Sequence, residues 1–187
     1  MSNAQADVTG IGQLTPGTWQ LDASHSSVEF SARHLMVSKV RGRFTSFNGT
    51  LEIAEDPLQS SLQASVDLDS VETHDEKRDG HLRSADFFDV ENHPQLTLVS
   101  TGIRPDGDDY VLSADVTARG VTVPVEFHLE FNGVERDPWG GTRAGFTATT
   151  EVNRKDWGLE WNVALEGGGL LVGEKVKINL EAEAVKQ

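Results

Sequence analysis

Between residues 121 and 131 the chain alternates without a break. Val121, Val123, Val125, Phe127, Leu129 and Phe131 fall on one side, and Thr122, Pro124, Glu126, His128 and Glu130 on the other. A period of two sends every second side chain to the same face, which fits a strand with one dry and one wet face and fits no helix. The pattern recurs at Leu62, Ala64, Val66 and Leu68, at Tyr110, Leu112, Ala114 and Val116, and at Val176, Ile178, Leu180, Ala182 and Ala184. Polar outer faces predict antiparallel pairing, because parallel sheets are covered on both sides. Weaker runs at 18–22, 27–32, 44–53, 96–101 and 142–152 bring the expectation to eight or nine strands. Asp106-Gly107 and Asn132-Gly133 read as hairpin turns. Pro124 has no amide to donate, so its strand requires an edge, a bulge or a seam there. The fold class expected is all-β, a sandwich or a barrel.

The segment 78–88 breaks the alternation. Asp79 is expected to cap a short helix on which Leu82, Ala85 and Phe88 share a face, placed over a barrel mouth as a plug or a lid. The expected inner faces carry small residues: Gly49, Ala64, Ala114, Ala144, Ala148, Ala182 and Ala184. A barrel of about eight strands just holds its own side chains or one ligand. Small inward residues therefore leave a cavity unless neighbouring Trp and Phe fill it. A cavity lined by hydrocarbon suits a long apolar guest. At about 0.3 kcal/mol per heavy atom, a chain of about 30 to 40 carbons reaches about 9 to 12 kcal/mol, enough for sub-micromolar binding.

With 187 residues, no repeat and no linker, the chain reads as one domain, 17–187, behind a flexible segment, 1–16. Its net charge of −14, with 16 scattered Lys and Arg and none before Arg33, argues against a nucleic-acid partner. Cysteine is absent, which removes disulfides and thiolate chemistry. The first 13 residues show neither a basic start nor an apolar run, so the expectation is a cytoplasmic protein without stable membrane insertion, or an exported one if a native leader was replaced.

Several ordered motifs resemble one family. They are Thr18-Trp19-Gln20-Leu21-Asp22 with His25-Ser26, then His34, Val40-Arg41-Gly42-Arg43-Phe44 and Phe47-Asn48-Gly49. Thr73 follows with Arg78-Asp79-Gly80-His81-Leu82, Asp86-Phe87-Phe88-Asp89-Val90 and His93-Pro94, and later Arg119-Gly120-Val121-Thr122 and Asn153-Arg154-Lys155-Asp156-Trp157-Gly158-Leu159. From about residue 17 to 185 the chain is similar to the YceI proteins, lipocalin-like binders of polyisoprenoids. The resemblance implies an extended antiparallel eight-stranded lipocalin-like barrel with a short helix near one end. It also implies a prenyl chain held inside and a role in carriage, storage or sequestration of isoprenoids such as quinone precursors; homodimers are compatible with it.

On that footing Phe30, Phe44, Phe47, Leu82, Phe87, Phe88, Trp157 and Trp161 are the expected ligand contacts, and His25, His34, Arg41, Arg119 and Arg154 the candidate head-group contacts. Arginines, among them Arg43, would supply the donors that a diphosphate needs. Other chemistries find less support. His74, Asp75, Glu76, Asp79 and His81 are dense but match no zinc spacing, so neither a metal nor a cofactor is expected; a structural tie through Arg78 with Asp79 or His81 is the plainer reading. His25 with Asp22, Ser24 and Ser26 holds the materials of acyl transfer without a Gly-x-Ser-x-Gly elbow. Glu166-Gly167-Gly168-Gly169 lacks the Lys-Ser/Thr of a phosphate loop and reads as a flexible connection beside Leu170 and Leu171. The function expected is non-enzymatic lipid carriage or storage. The alternatives are an enzyme on a lipid-like substrate using His25 or His81, and a stress-related binder of a smaller amphiphile.

Overall fold

The alternating runs become long strands in the computed structural model, which describes residues 10–187. In chain order they are β1 (Gly17–Leu21), β2 (Ser27–His34), β3 (Ser38–Phe44), β4 (Phe47–Ile53), β5 (Ser61–Asp67), β6 (Val71–Glu72), β7 (Gln95–Asp106), β8 (Asp109–Ala118), β9 (Val121–Arg136), β10 (Thr142–Asn153) and β11 (Val172–Lys186). One α-helix, α1 (Glu76–Arg83), lies between β6 and β7. Neighbours run β1-β4-β5-β7-β8-β9-β10-β11, and β1 closes the ring by pairing Trp19 with Lys186 and Leu21 with Ala184 on β11. The result is a closed antiparallel barrel of eight strands. Beyond β1, the same edge of β11 is taken over by β2, from Glu181↔Ser27 to Val172↔His34. The β2–β3 hairpin and β6 thus extend one wall past the closed ring.

Four local expectations are corrected or refined. Pro124 lies opposite Asp115 of β8, while β9 joins β10 only from His128 onward, so the proline faces an unpaired seam and no ladder donor is lost. Asn132-Gly133 is not a hairpin turn: Gly145 pairs with Gly133 but Phe146 with Phe131, leaving Asn132 as the extra residue of a bulge, with Gly133 at φ 122°. The chain reverses instead at Asp137, whose carboxylate accepts from the amides of Trp139 and Gly141. The helix cap is Asp75, which accepts from Arg78 N–H at 3.0 Å, and not Asp79. Asp79 is buried inside α1 and accepts from the amide and hydroxyl of Thr73, while Arg78 donates back to the Thr73 hydroxyl and carbonyl at 2.7 Å. Because α1 ends at Arg83, Ala85 and Phe88 belong to the turns that follow it.

The segment expected to be flexible is partly docked. Ile11 and Leu14 are buried at one end of the barrel, and Ile11 N–H donates to the Tyr110 hydroxyl at 3.3 Å; residues 1–9 lie outside the described residues. At the same end Arg143 bonds Asp22 at 2.7 Å, Asp137 at 2.9 Å and Glu183 at 2.7 Å, joining the end of β1, the β9–β10 turn and β11. The Ser24 hydroxyl, the Arg143 guanidinium and the His25 ring hold the Asp22 carboxyl well below the usual range, and Arg143 with the Gly141 amide lowers Asp137. Carboxyls depressed in the folded state contribute stability above their ordinary value of 3.8 and lose it as the pH falls below that value. Thermal unfolding scans should therefore show a steep loss of stability below pH ~4. An Arg143→Gln variant, already less stable at neutral pH, should show a flatter acid limb.

Candidate functional site: the barrel lumen

Inward side chains alternate down the strands and enclose a cavity of about 350 Å³. β2 contributes Val28, Phe30 and Ala32, and β11 contributes Val176, Ile178, Leu180, Ala182 and Ala184. β9 gives Val125, Phe127 and Leu129, and β10 gives Phe146, Ala148 and Val152. On β7 the register shifts between Ser100 and Gly102, so the inward set changes parity from Leu96 and Leu98 to Ile103. From Val176 to Ala184 the lining spans eight residue steps, roughly 26 Å along the strand and about 20 Å along a barrel axis after a tilt of about 40°. A sphere of 350 Å³ would be only about 9 Å across, so the void is long and narrow. Its wall is almost wholly hydrocarbon, and Ile11 and Leu14 stop the end nearest β1.

At the other end the lining comes from outside the ring of strands. Leu82 of α1 and Phe87 and Phe88 after it face the lumen. Phe44 stands between Phe30 and Phe88, with ring centroids 5.4 and 5.8 Å away. Gly42, paired with Phe30 across β2 and β3, lies under that ring; a Cβ there would come within 2.3 Å of the Phe30 Cζ. A 3-10 turn, Arg154–Trp157, sits at the seam that β9 and β10 leave open, and the Trp157 indole N–H donates to the Val116 carbonyl at 3.0 Å.

Arg154 is 6 % exposed and lines the same end of the cavity. Its Nε donates to the Gly173 carbonyl at 2.9 Å, Nη1 to Leu159 at 2.6 Å and Nη2 to Val172 at 3.4 Å, and its Cζ is 5.8 Å from the Phe87 ring centre. Burial lowers the guanidinium's pKa, opposed by the charge of Glu174. A guanidinium has five N–H donors, so these three bonds leave donor capacity beside the lumen.

The expected contacts divide accordingly. Phe30, Phe44, Phe47, Leu82, Phe87, Phe88 and Trp157 all line the cavity, whereas Trp161 lies outside the lining, packed edge-on to His81 at 4.5 Å and tilted against Phe87 at 5.5 Å. Of the head-group candidates only Arg154 reaches the lumen. His25 is exposed and bonded to Asp22 and Ser24, His34 ends β2, and Arg41 lies exposed on β3. Arg119 is a staple, donating to the Phe87 and Gly158 carbonyls at 3.1 and 3.3 Å. Arg43 pairs with Glu72 at 3.0 Å, and His81 with Asp86 at 2.9 Å. Ile11 and Leu14 line the cavity without having been singled out from the sequence; a three-residue apolar spacing in a polar segment was their only signal. Of the small residues expected inside, Ala64, Ala148, Ala182 and Ala184 line the void, while Gly49, Ala114 and Ala144 do not.

Comparison with known proteins agrees with this architecture. The sequence profile of the YceI-like domain matches residues 19–184. A UPF0312 protein of Pectobacterium atrosepticum is 36% identical over 167 residues, covering 89% of this chain and 84% of that one. The crystal structure of Burkholderia cenocepacia BcnA superposes with a TM-score of 0.72 at 20% identity, covering 87% of this chain and 98% of the other. A polyisoprenoid binding domain from Saccharophagus degradans, implicated in plant cell wall breakdown, superposes with a TM-score of 0.70 at 18% identity, covering 90% and 98%. At such identities the structural likenesses establish the fold alone.

Proposed function

Because the chain belongs to the YceI-like family, we propose that it is a non-enzymatic carrier or store that holds a polyisoprenoid or isoprenoid-quinone-type lipid lengthwise in its barrel. The observation that carries this reading is the long, narrow, hydrocarbon-lined lumen, closed at one end by Ile11 and Leu14. Burial of apolar surface is the driving force, and only a chain-like guest can use most of the lining. The named binding activity of the Saccharophagus degradans domain supports the same class of ligand. The cavity volume lies near the lower limit of the ~300–1,000 Å³ typical of drug-sized sites, so a long prenyl chain requires the Phe30, Phe44 and Phe88 rings to turn aside. On this reading the polar end of the lipid lies beside Arg154, the head-group candidate that lines the cavity, and its tail runs toward the Ile11 plug.

The reading of an enzyme built on His25 or His81 gains no observation in its favour, since neither ring lines the lumen and each is already bonded to a carboxylate. Native mass spectrometry of freshly purified protein, followed by organic extraction, tests the carrier reading. The expected result is one prenyl lipid per chain. An empty barrel that also takes up no added quinone or prenyl phosphate would sink the proposal. Comparing masses across concentrations in the same experiment tests the expected homodimer.

A further inference from the structure

The β2–β3 hairpin ends in three consecutive exposed apolar residues: Leu35 is 39 % exposed, Met36 56 % and Val37 81 %. Leu35 and Met36 both adopt positive φ, 53° and 61°, with Val37 N–H returning to the His34 carbonyl at 3.1 Å. Glycine or asparagine suits such a turn, and branched or long apolar side chains are strained in it. None of the three belongs to either hydrophobic core cluster, so these side chains do nothing for folding that a polar turn would not do better.

The surface beside the tip has its own cost. Arg33 and Lys39 are direct cross-strand partners, and like charges placed opposite one another weaken a sheet. Lys177 and Arg41 lie on either side of Ser31 in the same outward row. Among the described residues these four exposed cations make no ion pair. A shallow groove of about 560 Å³ runs between the hairpin and β11, with Met36 and Leu170 at its apolar margin. Its charged lining is Arg33, Lys39, Lys175 and Lys177 against Glu151 and Glu174, a local net of +2 on a chain of net −14.

This surface also adjoins the lumen end that carries Arg154. Leu35 N–H donates to the Leu171 carbonyl at 2.8 Å, which joins the tip to the connection 158–171. That connection supplies Leu159 to the lumen wall, and the next residue on, Val172, lines it too. The three-glycine turn of this connection lies against Met36 at Gly169.

We propose that the hairpin tip and the adjoining cationic strip dock this end of the barrel on an anionic lipid bilayer surface. The proposal deepens the carrier reading, on which its purpose, loading and unloading of the lumen, rests. Three apolar side chains insert at the level of the head groups while the unpaired cations meet lipid phosphates. The negative field of the rest of the molecule opposes any other approach, so it orients docking and keeps it reversible.

The test is co-sedimentation of the full chain with phosphatidylcholine vesicles, with or without about a third phosphatidylglycerol, with native mass spectrometry of the lumen on the same samples. The wild type should favour the anionic vesicles by about tenfold at low salt, and that preference should collapse near 1 M salt. Met36→Asp with Val37→Asp should lower binding by about tenfold, and Lys39→Glu with Lys177→Glu should abolish the preference for anionic vesicles. All four positions are exposed, so lumen contents and melting temperature should stay those of the wild type. Equal binding to both vesicle types, or full binding by the Asp pair, overturns the inference. So does a dimer that the Asp pair dissociates while the wild type ignores vesicles, since the tip would then belong to a second copy. An empty lumen that also takes up no added quinone or prenyl phosphate, together with intact vesicle binding, supports the docking surface and overturns the carrier reading alone.

Discussion

Replacing Ala148 and Ala182 with Phe is expected to empty the barrel of lipid without unfolding it. Ala148 on β10 and Ala182 on β11 both line the cavity, and the register sets them against Leu180 and Phe146. In a filled core, two added rings would force neighbouring side chains off their rotamers and cost about 1–3 kcal/mol each. Here they point into a void of about 350 Å³, where added apolar volume meets open space and gains contacts. The lipid therefore loses its path while the barrel keeps or gains stability. Lipid per chain, measured after extraction, should fall more than about tenfold, and the melting temperature should hold or rise. Retention of lipid by the folded double variant would place the ligand outside the lumen. A lowered melting temperature with lipid lost would say that the cavity is narrower than the geometry described above.

The sequence made the barrel legible wherever alternation was long and uninterrupted. β9 and β11 could be read side chain by side chain because one face is hydrocarbon and the other charged. The reading failed where the backbone departs from a strict period of two. Asn132-Gly133 carries turn chemistry but sits inside the ladder that joins β9 to β10 from His128 to Arg136, so pairing overrides the local signal and leaves a bulge. The bulge on β7 moves Ile103 to the inner face, which no fixed period would predict. At α1 the neighbouring acids Asp75 and Asp79 compete for the cap, and the burial of Thr73 decides it by claiming Asp79. The aromatic lining of the Arg154 end was legible through motif resemblance, since Phe87, Phe88 and Trp157 come from turns without periodicity. Trp161 shows the limit of that route. Leu159, two residues before it, lines the lumen, yet the Trp161 ring packs against His81.

Arg154→Met should both loosen the far end of the barrel and erase its preference for charged lipid heads. A buried charge alone is weak evidence for stability, because a well-packed apolar substitute is often tolerated. The partners of Arg154 change that balance. They are three backbone carbonyls, of Leu159, Val172 and Gly173, and the Asn162 side-chain amide also donates to Val172 at 2.7 Å. Methionine takes the guanidinium donor from each of the three, for a cost of about 3 kcal/mol, or a fall of about 6–12 °C in melting temperature for a chain of this size. Lysine keeps the charge but cannot span three acceptors with a planar fork, so Arg154→Lys should recover little of that loss. Head-group recognition separates the two variants. In competition below the melting transition, a prenyl phosphate should displace the prenol of equal chain length from the wild type by about tenfold, through charge-assisted hydrogen bonds to the remaining guanidinium donors. Arg154→Met should bind the two equally, and Arg154→Lys should keep part of the preference through its charge. Equal competition on the wild type would mean that Arg154 serves the fold alone, tying residues 158–173 to the barrel while the lipid head lies elsewhere.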